Sequence, residues 1–388
     1  MRIERLDTIL INIPLRIEQR TSFSTRTSMT QCLVHATADS GQTGWGEASG
    51  GAGGWAPACQ TIIDAMKDQV IGRAPADVHS IRRQLFDTRY WKNAGRLAHL
   101  SFGAIETALL DLEGQRLGLP MWKLLGSKIR GAIDFFGFLN PTANSDDLAL
   151  EAAKMEEDGF RILYLKIGGD DHEDLGRVAA VRRAIRPGTR LRVDANGAWD
   201  RNHAVQAIEA LSHFDLDFVE QPTPLDDLPG LAHVRSAVRV PICANEVAWH
   251  PAEWREVLRH QAADVLCINV SWCGGPTQFV AIAELAAKAG VRVVRHTIDV
   301  GIGDHAALHV LATVPNALDG NQIMGTHLGD DVLEAGPLMP RGGTIPVPDT
   351  PGLGATVSEE RIASLHRRFL LEGNARAFSV DHRKGGEQ

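Results

Sequence analysis

Between residues 160 and 246 the chain repeats one pattern: a short apolar run of strand length ends on a single charged residue, and a segment with helical spacing follows. The runs close on Lys166 (Ile162-Leu163-Tyr164-Leu165-Lys166), Asp194 (Leu191-Arg192-Val193-Asp194), Glu220 (Asp217-Phe218-Val219-Glu220) and Glu246 (Pro241-Ile242-Cys243-Ala244-Asn245-Glu246), at intervals of 28, 26 and 26 residues. Such an interval holds one strand and one helix, and stretches such as 171–185 and 204–211 supply the helices, so the pattern predicts consecutive parallel βα units. In a closed βα barrel the carboxyl ends of the strands meet at one face, where barrel active sites are built. In an open sheet the same residues would be strung along a line.

The pattern extends in both directions. Residues 132–138 read as a first barrel strand with a helix at 146–158, and strands at 265–270, 291–296 and roughly 317–319 bring the number to eight. The last helix is expected to be weak or displaced, because 325–354 is rich in Gly and Pro. Ahead of the barrel, 3–11 and 31–37 are strand-like, with a turn at 39–44, and from 57 to 117 apolar residues such as Leu100, Ile105, Leu109 and Leu112 fall at helical spacing. An α+β domain (1–127) therefore precedes the barrel (128–355), and a last segment (356–388) carries a helical run that returns to the first domain. Two stretches of the first domain, the polar 20–28 and the glycine-rich 50–55, are either connectors or, where they overhang a site, a lid.

Composition narrows the class. A 388-residue chain exceeds what one core usually serves, and its net charge of −8 argues against a polyphosphate partner. No run approaches the ~20 apolar residues of a membrane span, and the amino terminus lacks a secretory-type apolar core, so the expected location is the cytoplasm. Five cysteines without a CxxC pair read as reduced, buried thiols rather than a disulfide framework or structural zinc site.

Alternation along 163–167 directs Tyr164 and Lys166 into the barrel interior. A buried lysine there is either a general base, its pKa lowered by desolvation and a nearby cation, or one half of a salt bridge. Asp194, Glu220 and Glu246 converging in a dry site would repel one another severely. A hard divalent cation relieves this, and all-oxygen ligation points to Mg²⁺ or Mn²⁺; the bland alternative is that each acid caps a loop or pairs with an Arg.

These strand ends, with Asp194-Ala195-Asn196-Gly197, Glu220-Gln221-Pro222, Lys166-Ile167-Gly168 and Gly274-Gly275, resemble the enolase superfamily in its mandelate racemase and muconate-lactonizing branch. So do Gly44-Trp45-Gly46-Glu47, Ala108-Leu109-Leu110-Asp111, Leu124-Leu125-Gly126 and the closing 345–354 segment. The resemblance implies an α/β fold, a modified (β/α)₇β TIM-type barrel under an N-terminal α+β capping domain. It also implies an essential Mg²⁺, a small-molecule carboxylate substrate and abstraction of its α-proton, and by analogy a homo-oligomer. It further implies His296 as an acid or base facing Lys166, and Asn196 as a residue that touches substrate. The third metal ligand is Glu246 or, as in the muconate-like members, position 245, here Asn245.

Three positions depart from the family. The usual Lys-x-Lys reads Tyr164-x-Lys166, the aspartate that supports the histidine reads Asn269, and the strand-eight glutamate is replaced near Asn321, which is left as a donor to the substrate carboxylate. The expected reaction is dehydration of a polyhydroxy acid to a 2-keto-3-deoxy acid, with His296 protonating the leaving hydroxyl. Racemisation or epimerisation needs the same parts. A non-catalytic binding protein, and a phosphate-binding barrel leaning on Gly168-Gly169 and Gly274-Gly275, complete the alternatives.

Overall fold

A computed structural model describes residues 1–21, 24–88, 90–140 and 144–379. Ser22 and Phe23 of the 20–28 stretch, and 380–388 of the last segment, lie outside the described residues. Strands β1 (Ile3–Arg20), β2 (Ser24–Ala38) and β3 (Thr43–Ser49) form an antiparallel sheet with β1 and β3 on either side of β2. Leu6, Leu10, Ile11 and Ile13 of β1 pack into a core shared with the helices Trp55–Met66 and Gly95–Leu117. The hairpin is longer than the alternation in sequence indicated. Ser24–Ser28 belong to β2 rather than to a mobile connector, because pairing with β1 resumes at Gln19↔Arg26 beyond a register shift.

The glycine-rich stretch is pinned. Thr30 N donates to Gly51 O (2.7 Å), Gly50 N to Gln31 Oε1 (2.6 Å), and Trp55 packs edge-on against Trp249 and Trp272 of the barrel loops at 5.0 and 6.1 Å.

The barrel strands follow as β4 (Ala132–Asp134), β5 (Gly137–Phe138), β6 (Ile162–Lys166), β7 (Arg190–Asp194), β8 (Leu216–Glu220), β9 (Ile242–Ala244), β10 (Val265–Ile268) and β11 (Arg292–Arg295). From β5 to β11 they form one parallel sheet in sequence order. Residues 317–321 close the ring, since Ala317 bridges Val293 and Asn321 bridges Phe135. The expected first strand is divided: β4 pairs antiparallel with β12 (Thr344–Pro346), and only β5 joins the barrel. Among the described residues no helix lies between 317–321 and the helix Glu359–Glu372; Gly and Pro shape 325–354 into turns and β12 instead. Inside the ring, Arg192 of β7 donates to Asp217 Oδ2 (2.7 Å), Gly320 O (2.5 Å) and Asp319 O (2.7 Å), which ties the closing segment to the opposite strands.

The cap is fastened to the barrel at two helix N-termini. Glu47, at the end of β3, accepts from the backbone N–H groups of Val300 (2.8 Å) and Gly303 (2.9 Å), at the start of the helix Gly301–Leu311. Glu106 accepts from Thr277 N (2.9 Å), at the start of the helix Pro276–Lys288. Each carboxyl meets donors that have no partner within their own helix, at the positive end of its dipole. The helix Glu359–Glu372 returns to β1, where the His366 ring nitrogen bonds Leu10 O (2.7 Å), and β13 (Phe378–Ser379) pairs with the start of β2. Among the described residues no helix is long and apolar enough to cross a membrane.

The Gly44-Trp45-Gly46-Glu47 run has a packing reason as well. A Cβ on Gly46 would sit 1.9 Å from Ala104 O of the long cap helix. Gly46→Ala is therefore expected to destabilise the protein by about 1–3 kcal/mol or more, as overpacking does. Thermal and denaturant unfolding would check this, and an unchanged midpoint would count against close backbone approach as the constraint.

Candidate active site

Lys166, Asp194 and Glu220 lie side by side because their strands are in register: Lys166 pairs with Asp194 and Asp194 with Glu220 along the parallel ladder. The strand period of two then turns all three side chains inward. Glu246 reaches the same face from the loop two residues beyond β9. Backbone strain marks the turns after two of these acids, with Asn196 at φ 46° and Gln221 at φ 36°, in the left-handed region that non-glycine residues rarely adopt. Gln221 repays this by organising its neighbour loop: its Oε1 accepts from Asn245 N (3.0 Å) and Val247 N (3.3 Å).

Asp194 and Glu220 are only 0% and 2% exposed. Asp194 Oδ2 accepts from Tyr164 Oη (2.6 Å) and from Lys166 Nζ in a tight ion pair, while its Oδ1 accepts from Asn196 N (2.7 Å). Glu220 Oε1 accepts from Asn245 Nδ2 (2.8 Å), and Glu246 Oε1 from Asn196 Nδ2 (2.8 Å). Glu246 Oε2 is buried with no hydrogen-bond partner. Burial, then Asp194, drives the Glu220 carboxyl well above the usual range, against the pull of Lys166. Burial and Asp194 likewise push Glu246 up to about 7.

Of the two roles left open by sequence, the structure shows Lys166 in the ion pair with Asp194, and its pKa is not lowered. Burial alone would lower it, but Asp194, Glu220 and Glu246 outweigh burial and raise it above the ordinary lysine value. Tyr164, standing where the family has a second lysine, contributes no like charge to oppose them. His296, just past β11, behaves in the opposite way: burial, then Lys166, Arg26 and Arg295, bring it down to about 3, so the imidazole is neutral. Its ring lies 4.6 Å from Trp272, and its buried Nδ1 has no hydrogen-bond partner.

Two of the sequence-derived amides face elsewhere. Asn269 does not bond His296; its Oδ1 accepts from Ser271 Oγ and Trp272 N (both 2.9 Å), and its Nδ2 points to Asp299 Oδ1 (3.4 Å). Asn321 uses its donors on Asp134 O (3.2 Å) and Leu318 O (3.1 Å) and its Oδ1 on Arg295 N (2.9 Å), so it seals the barrel seam. The glycine pair at 168–169 is also engaged, both amides donating to Asp174 Oδ2 (2.7 and 2.9 Å), which removes the basis for a phosphate loop there.

Arg26 escaped the sequence reading, although it is a cation inside a hydroxyl-rich stretch. It projects from β2 over the mouth, with Nε donating to Gln19 Oε1 (2.6 Å), and its charge acts on both His296 and His327. No acidic side chain among the described residues pairs with it. Burial lowers its pKa to about 10.

The donor set fits a hard divalent metal ion. It offers two carboxylates on adjacent strand ends and a third from the loop beyond β9, one ammonium to balance them and a buried carboxylate oxygen with no partner. A parallel βα barrel whose mouth gathers these acids with a lysine and a histidine, beneath an antiparallel cap, defines an α/β-barrel enzyme built for proton transfer.

The comparisons place it. Residues 147–361 match the enolase C-terminal domain-like family, and residues 7–126 match the mandelate racemase / muconate lactonizing enzyme N-terminal domain. The chain belongs to the enolase superfamily, in its mandelate racemase and muconate-lactonizing branch. It is 30% identical over 372 residues to muconate cycloisomerase 1 of Acinetobacter baylyi (93% of this chain, 99% of that one). Over 373 residues it is 30% identical to D-galactarolactone cycloisomerase of Agrobacterium fabrum (92% and 94%). A dipeptide epimerase from Enterococcus faecalis, solved with Mg and the dipeptide L-Leu-L-Tyr, superposes with a TM-score of 0.83 at 26% identity, covering 92% of this chain and all of that one. The protein is thus an enzyme of the isomerase or lyase kind, with the proton abstraction of its superfamily.

Glu246→Gln leaves the Asn245 amide in place and removes the carboxylate with the unpartnered oxygen. It is expected to weaken Mg²⁺ binding at least about tenfold, the lower end of what losing even an outer-shell partner costs. Calorimetric titration would check this, and an unchanged affinity would move the third ligand to Asn245.

Proposed function

We propose that Asp194, Glu220 and Glu246 hold Mg²⁺, with Mn²⁺ able to substitute, and that Lys166 and His296 work on opposite faces of a small carboxylic acid bound there. The observation that carries this is geometric: Lys166 is ion-paired to Asp194 beside Glu220, and His296 stands in the same pocket with a buried ring nitrogen that has no hydrogen-bond partner. One side chain is ready to accept a proton and the other to give one. This reverses the roles expected from sequence, making His296 the base for the α-proton and Lys166 the acid. When bound, the metal would supply positive charge where the enediolate's negative charge grows.

For a polyhydroxy acid, His296 takes the α-proton, the β C–O bond breaks, and Lys166 protonates the departing hydroxyl as water. The enol that remains tautomerises to the 2-keto-3-deoxy acid. Arg26 supports a substrate with a second anionic group, held at the mouth by a cation that has no acid of its own. The relative named for D-galactarolactone supports a sugar-acid substrate. Epimerisation is the second reading, favoured by the dipeptide epimerase neighbour. There Lys166 would return a proton to the other face of the same carbon.

Proton NMR in D₂O, with Mg²⁺ and a panel of sugar acids and acylated amino acids, separates the two. Loss of the α-proton with a new 2-keto-3-deoxy product is expected, whereas deuterium at an inverted carbon would establish the epimerase. His296→Asn should abolish α-proton loss, and a variant that still exchanges would return the base role to Lys166. Arg26→Met should raise KM for diacids about tenfold or more, in line with losing a charge-assisted hydrogen bond worth ~1.5–3 kcal/mol, with little change for monoacids. Equal effects on both would remove the second anion from the proposal.

A further inference from the structure

Beneath the acids, two thiols occupy the barrel interior. Cys243 on β9 and Cys267 on β10 lie on adjacent parallel strands, where Cys243 pairs with Val265, so the period of two carries Cys267 inward beside it. Phe218, Val265 and Val294 pack around them, and the two cysteines are 0% and 4% exposed. One sulfur from each and a Glu220 carboxylate oxygen all lie within 4.8 Å of one another. They form the only such three-ligand cluster of His, Cys, Asp and Glu side chains among the described residues.

We propose that Cys243, Cys267 and Glu220 form a site for a thiophilic divalent ion, of the Zn²⁺ or Cd²⁺ kind, and that its occupation takes Glu220 away from the mouth. The ligand types decide the ion. Two sulfurs and one carboxylate suit a borderline or soft metal, whereas Mg²⁺ avoids sulfur. Tetrahedral zinc places sulfur at about 2.3 Å and carboxylate oxygen at about 2.0–2.2 Å, so ligand atoms stand roughly 3.5–3.8 Å apart. The present triangle, no side of which exceeds 4.8 Å, reaches that size with a contraction of at most about 1.3 Å, on the scale of a side-chain rotation. On binding, each S–H bond breaks, its proton leaves to solvent, and a metal–sulfur bond forms, with no change in oxidation state. Glu220 cannot serve both positions fully, so the softer ion competes with the harder one. The competition rests on Glu220 as a magnesium ligand; the thiol site itself does not.

The test is titration of the full-length protein with Cd²⁺, followed by ultraviolet sulfur-to-cadmium charge transfer and by the cadmium NMR shift. One equivalent should produce a band with the intensity of two thiolates, and Mg²⁺ affinity should fall at least tenfold in the same sample. Cys267→Ala and Cys243→Ala should each halve the band or remove it, while Cys273→Ala, a buried thiol outside the cluster, should leave it intact. Circular dichroism would confirm that each variant is folded, and the NMR shift of the unaltered protein reads the sulfur count without any substitution. No band at one equivalent, or a band that survives in the folded double variant, would overturn the site. A normal band with unchanged Mg²⁺ affinity would overturn the competition and with it the placing of Glu220 at the magnesium.

Discussion

The mouth of this barrel is governed by mutual repulsion among carboxylates that cannot move apart. Strand register fixes Asp194 beside Glu220, and a turn strained at Gln221 holds the loop that brings Glu246 to the same place. One ammonium, on Lys166, faces all three. The environment of the lysine, the burden on Glu246 and the fit of a divalent ion are consequences of that imbalance. His296 completes it from the other side, because burial, and then the positive charges of Lys166, Arg26 and Arg295, keep its ring neutral while the acids raise the lysine.

The surrounding architecture holds this arrangement still. Glu47 and Glu106 seat the cap on two barrel helices through backbone donors those helices cannot satisfy themselves. Ser49 Oγ extends the seam, meeting Ser271 Oγ (2.6 Å) and donating directly to Asp299 Oδ1, and the Asp299 carboxylate in turn meets Arg295 at 2.8 Å. Buried Arg295 also pairs with Asp304 at 2.7 Å. The residue next to His296 is thus locked by an ion pair with both of its partners inside the protein, and the histidine inherits that rigidity.

Much of this was legible in the sequence, for identifiable reasons. Strand-end residues announce themselves because the alternation of strand and helix has a fixed length, and inward direction follows from a period of two. What escaped was whatever depends on the aim of a side chain or on a partner far along the chain. Asn269 and Asn321 sit where expected in the fold, yet their amides turn to Ser271, Trp272 and backbone carbonyls that no local pattern reveals. Arg26 was hidden because its stretch reads as a polar connector, and only the pairing of Gln19 with Arg26 shows it to be strand. Glu47 was visible as part of a motif, but its role depends on amides some 250 residues later.

That separation bears on how the molecule is made. The cap leaves the ribosome before the barrel, and its central strands can pair early. Its seat on the helix at Gly301 comes some 250 residues after β3 is complete, and its strand Phe378–Ser379 some 330 residues after. At about 5–20 residues per second the nascent cap waits roughly 15–65 s for the second of these. During that interval the surface that will cover the barrel mouth is exposed, and a domain begun before the barrel is finished after it.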